Sequence, residues 1–155
     1  MRLLLSLFAS LVLFAGTNAF AADDKDTVTT TLRNYVAAFS SKDMTRILPF
    51  FDEPVVLISA AGTTVMPAHA DVDALLTKLL AKLKDRNFDH AEWPQLNVKM
   101  LNDKLAIASA LVVRYKTGGE ELERFGATFM LRRTGEAWKI TMQSVHDAGT
   151  VIDLK

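Results

Sequence analysis

From Glu92 onward the apolar residues stop recurring at helical spacing and begin to alternate with polar ones, and this change of period constrains the fold more than any other feature. Side chains two apart share one face of a strand, whereas a helix repeats every three to four residues. The alternating stretch is broken at Asn102-Asp103, Gly118-Gly119 and Gly135-Glu136, dipeptides suited to tight turns. It predicts four long strands over 92–101, 105–116, 120–133 and 137–146, joined as an antiparallel meander. The second carries large residues at Leu105, Ile107, Leu111 and Val113 opposite Ala106, Ala108 and Ala110, the pattern of a strand buried on both faces. Its alanine face allows another layer to approach closely.

Upstream the pattern is helical. Val28, Leu32, Tyr35, Val36 and Phe39 make one apolar stripe, and Asp43 stands where a second, short helix needs an N-cap. Pro49 should end or kink that helix, because it lacks an N–H and clashes with the preceding turn. Pro54 introduces the run VVLIS, which a turn at Ala60, Ala61 and Gly62 returns as TTVM, a short hairpin. Val72, Leu75, Leu76, Leu79, Leu80 and Leu83 then form the strongest helical stripe, with Asp71 and Asp73 near its start and Lys82, Lys84 and Arg86 near its end, as the helix dipole prefers. The fold class is therefore α+β, helices covering one face of a sheet.

The N-terminus has one positive charge at Arg2, an apolar stretch over 3–16 and small residues at Ala19 and Ala21. That is the pattern of a secretory signal peptide cleaved after Ala21, and the apolar stretch is short of the roughly 20 residues a membrane span requires. The expected division is a signal peptide over 1–21 and a single domain over 22–155, periplasmic or secreted, with no membrane span after cleavage. With no cysteine in the chain, an exported domain must hold together by packing, and thiol chemistry and lipid attachment at a cysteine are excluded. The 18 basic residues are balanced by 18 acidic ones, so no counterion-release drive toward nucleic acid exists. A small or apolar partner is expected instead.

Few residues suggest chemistry. His69, His90 and His146 lie far apart, and no H-x-H, H-E-x-x-H, P-loop, G-x-S-x-G or G-x-G-x-x-G is present, so neither a metal nor a cofactor is predicted. His146 shares a face with Trp138, Ile140, Met142 and Ser144 and could line a pocket, while Asp147 points to the opposite face if the strand continues that far. Asp89, His90, Glu92 and Trp93 cluster at the link into the meander, either as a polar rim with an aromatic wall over a cavity or as a solvated connection anchored by Trp93. Ser109 is a polar residue on the doubly apolar strand. Arg114, Arg124, Arg132 and Arg133 read as a charged outer face or a dimer rim.

The order of elements, the segment NYVAAFSSKDMTRILPFFDEPVVLIS and the ending GEAWKITMQSVHD resemble the NTF2-like superfamily, which includes SnoaL-like proteins and ketosteroid isomerases. The resemblance implies a cone: a curved antiparallel sheet covered on one face by three N-terminal helices, with a pocket between, and often a homodimer packed through the open sheet face. It also implies roles. Tyr35 falls where the isomerases place the tyrosine that donates to a developing oxyanion, and Ser59 falls where they hold a proton-shuttling carboxylate. Serine is not a general base near neutrality without an activating partner, so steroid isomerisation by that route is not expected.

Three functional readings follow. In the first, an exported binding or accessory protein holds a small, partly hydrophobic molecule with Tyr35, Ser59, Trp93, Ser109 and His146 as candidate ligand contacts. In the second, a SnoaL-like isomerase, cyclase or lyase uses Tyr35 and His146 as donor and base. In the third, the cone is filled by its own side chains and the dimer is structural.

Overall fold

The computed structural model describes residues 17–155, with side chains from Asp24 onward. The apolar stretch 3–16 read as the centre of a signal peptide lies outside the described residues. Helix α1, Thr17–Ser41, runs through the expected cleavage point after Ala21 and buries Val28, Leu32, Tyr35 and Phe39, the stripe set by its spacing. Asp43 caps helix α2, Met44–Ile47, by accepting from the Thr45 N–H at 2.9 Å. Pro49 ends that helix as its missing N–H requires, and the chain tightens into a 3-10 turn, Leu48–Phe50.

Strands β1, Phe51–Ser59, and β2, Gly62–Met66, form the hairpin. Helix α3, His69–Asp85, follows, and Asp71 satisfies its first turn by accepting from the Ala68 N–H at 3.0 Å. The meander is β3, Phe88–Met100; β4, Leu105–Lys116; β5, Glu121–Thr134; and β6, Ala137–His146. The strand order is β2-β1-β6-β5-β4-β3, in one curved, unclosed sheet with the helices on one face. One pairing departs from a wholly antiparallel layer: β1 runs parallel to β6, because α3 carries the chain across the sheet before the meander returns to it. Among the described residues no helix is long and apolar enough to cross a membrane.

Irregularities in strand pairing decide which side chains face the helices, among them one on β3 and one on β6. On β3 the pairing slips between Glu92 and Gln95, around Pro94. Proline cannot donate to a ladder, and β3 is an edge strand where that is tolerated. β3 begins at Phe88, earlier than its polar start suggested, because Phe88, Ala91 and Trp93 are all buried while Asp89 and Glu92 remain exposed. On β6, Leu131 pairs with Ile140 but Met130 pairs with Met142, so Thr141 is an extra residue. Such a bulge reverses the facing of every residue beyond it.

The consequence for β6 is a correction. Trp138 and Ile140 enter the core, but past Thr141 it is Gln143 and Val145 that face the helices. His146 therefore does not share a face with Trp138 and Ile140. It lies with Thr128 on the outer face of the sheet, where its Nε2 is 2.9 Å from Thr128 Oγ1. The C-terminal segment crosses that same face: Ile152 donates its N–H to Ser109 Oγ at 3.0 Å, and Asn97 Nδ2 donates to the Ile152 carbonyl at 2.8 Å.

Candidate functional site

Between the sheet and α3 lies a cavity of about 460 Å³, within the range typical of small-molecule sites. Its walls are mostly apolar: Val72, Leu76 and Leu79 from α3, Val55 and Leu57 from β1, and Phe125 from β5. The stripe of α3 that forms a roof is only partly covered, Leu75 and Leu79 being half-buried, because the space it faces is open. The cone is therefore not filled by its own side chains. A second chamber of about 30 Å³ adjoins it, and Tyr35, Phe39, Arg114, Phe125 and Gln143 line both.

Polar groups gather where the two spaces meet. Tyr35 is buried, with Phe51 packed edge-on at 5.5 Å and Trp93 at 5.9 Å. Burial pushes its phenol up to about 12, partly offset by the positive charge of Arg114, so the group is a proton donor at neutral pH. Its hydroxyl has no hydrogen-bond partner among the described residues, and neither has the Gln143 amide. Arg114 lies against the rings of Phe125 and Phe39, 4.9 and 5.3 Å from their centroids, and its Nη1 donates to Glu123 Oε1 at 2.7 Å. Arg114 thus sits on the alanine face of β4, two residues beyond Val112, and is not part of a charged outer face. Arg133 also faces inward, with its Nη2 2.6 Å from Asp24 Oδ1. Arg132 stays outside, bonded to the buried Asp52, and Arg124 stands at the cavity rim paired with Glu121.

Glu123 is the one carboxylate among the described residues lining the cavity. Burial would raise its pKa, but hydrogen bonds from Arg114 and from Arg86, the latter at 2.6 Å, outweigh that and hold it below the usual carboxylate range. A carboxylate so stabilised is a poor proton acceptor. No histidine among the described residues lines the cavity.

The candidates from the sequence are thus divided. Tyr35 lines both spaces and Trp93 lines the inner chamber, stacked on Phe129 at 5.0 Å. Ser59 closes the β1–β2 turn, accepting from the Ala61 N–H at 3.3 Å, and does not reach the cavity. Ser109 and His146 share the outer face with Thr128, a sheet's thickness from Tyr35, so Tyr35 and His146 do not meet in one pocket. His90 leaves the proposed rim to stack on Tyr115 at 5.1 Å. Among the described residues no group of three or more His, Asp or Glu side chains could hold a metal. From the sequence Arg114 was expected on an outer face, although the alanine register of its strand carries the signal that turns it inward; Gln143 was hidden, because strict alternation assigns it to the other face and only the bulge at Thr141 turns it inward.

A family model described as NTF2-like protein (DUF6841) matches residues 23–148, the helices and the sheet together. The chain belongs to this NTF2-like family. Solved structures, two of them described as NTF2-like, agree in fold at low identity. A protein with a cystatin-like fold from Novosphingobium aromaticivorans is 14% identical with a TM-score of 0.69, covering 92% of this chain and 94% of its own. One of unknown function from Pseudomonas putida KT2440 is 17% identical with a TM-score of 0.67, covering 86% and 94%. Aln2 from a Streptomyces species is 14% identical with a TM-score of 0.67, covering 82% and 92%. No curated protein matches the sequence significantly. At these identities the NTF2-like likeness shows architecture and leaves the chemistry to the residues of this cavity.

Proposed function

We propose that this NTF2-like protein is exported and binds a small, largely apolar molecule in the cone without transforming it. One observation carries the reading: the 460 Å³ cavity is open and apolar, and its single carboxylate among the described residues, Glu123, is already held by two guanidinium groups. Catalysis of the isomerase or lyase kind needs a group able to take a proton near neutral pH, and the described lining offers only a phenol shifted upward and a carboxylate shifted downward. Export rests on the charged, apolar and small-residue pattern of residues 1–21, and a homodimer through the outer sheet face rests on the family likeness.

A thermal-unfolding screen with small apolar and amphipathic compounds tests the binding reading. A ligand of the folded state present at a hundred times its Kd adds about 2.7 kcal/mol, enough for a rise of several degrees. A melting temperature unmoved across a broad panel argues for a purely structural cone. The mass of the protein recovered from its secreting host, expected to begin at Ala22, tests export in the same preparation.

A further inference from the structure

Arg114 has two hydrogen-bonding edges, and the fold uses only one. Nη1 is taken by Glu123, while neither Nε nor Nη2 has a hydrogen-bond partner among the described residues, and Nε is fully buried. Nε–H is closed off from the cavity, so Nη2–H is the donor that this edge offers to a ligand, and a charged N–H of this kind makes a strong hydrogen bond to a carboxylate oxygen. A charged donor in the lining of both spaces with no acceptor from the fold favours a ligand that brings one. The Tyr35 hydroxyl and the Gln143 amide, both unpartnered among the described residues, line the same two spaces.

Charge points the same way. Two cations, Arg114 and Arg86, share the single anion Glu123, which leaves a surplus positive charge in the wall. The other nearby cation, Arg124, is matched by Glu121. Beyond this donor cluster the surface is aliphatic, from Leu57, Val72, Leu76 and Leu79.

We infer that the ligand is an amphipathic carboxylate, its apolar body under α3 and its carboxylate on Nη2–H of Arg114, with Tyr35 and Gln143 donating to the same group. This rests on the ligand-binding reading above and adds the head group and its direction. An amine would face donors and a cation, and an alcohol would satisfy part of the cluster and leave the charge unmatched.

Titration calorimetry of the purified protein with octanoate, octanol and octylamine tests it. Octanoate is expected to bind at least about tenfold more tightly than octanol, with octylamine weakest, and Arg114→Met should abolish the preference for octanoate over octanol while octanol binding persists. Because Arg114 also supports the fold, Gln143→Leu serves as the second variant and should cut octanoate affinity several-fold with octanol unchanged and the melting temperature retained. Equal affinities for octanoate and octanol, or a preference for octylamine, overturn the head-group assignment and leave the apolar cavity as a binding site. No binding of any of the three overturns the assignment and the binding reading together.

Discussion

At the scale of single residues, the environment of Tyr35 is set by what surrounds it. Five aromatic rings, those of Phe39, Phe50, Phe51, Trp93 and Phe129, lie within about 6.5 Å of its own, and they remove the water that would stabilise a phenolate. The difference in phenolate absorbance between the wild type and Tyr35→Phe on alkaline titration should therefore have its midpoint near 12. An acid whose folded value exceeds its unfolded one weakens the fold as pH rises above the unfolded value, so Tyr35→Phe should also lessen the loss of stability beyond about pH 10. A midpoint at the ordinary tyrosine value would mean that water reaches the phenol.

At the scale of elements, the outer face shows how one small residue fixes a strand end. Gly126 pairs directly with His146, and a Cβ on Gly126 would lie 2.3 Å from His146 Nδ1 and 2.7 Å from the Asp147 carbonyl oxygen. With that space free, the imidazole bridges Thr128 and Thr150, its Nδ1 lying 2.9 Å from Thr150 Oγ1. Gly126→Ala should cost about 1–3 kcal/mol, the range for overpacking a fitted site, as a lowered midpoint in urea unfolding. It should leave ligand binding in the cone intact, because the sheet separates the two. The adjacent His146 and Asp147 thus serve the anchoring of the C-terminal segment.

At the scale of the whole molecule, the cone is tied shut by charge as well as by packing. Glu123 on β5 joins Arg114 on β4 to Arg86 at the end of α3, linking the roof of the cavity to its floor. Since its pKa is depressed in the fold, its contribution is present above the unfolded glutamate value and is lost as pH falls through the folded one. Stability should decline as pH drops below about 4, and Glu123→Gln should flatten that decline while lowering stability at pH 7, read from urea midpoints across the acid range. An acid limb unchanged by the substitution would place the responsible carboxylates elsewhere.

Residue order by itself determined the α+β class, the buried stripes of α1 and α3, the cap at Asp43, the stop at Pro49 and the bounds of β4, because each depends on interactions within a few residues of chain. The likeness to NTF2-like proteins was legible for the same reason: the order of local elements is the fold's signature. Tertiary structure alone decided the parallel contact of β1 with β6 and the membership of the cavity. A bulge is a property of two strands in register, so one extra residue at Thr141 exchanged Gln143 for His146 in the interior without leaving a mark that periodicity within β6 could reveal.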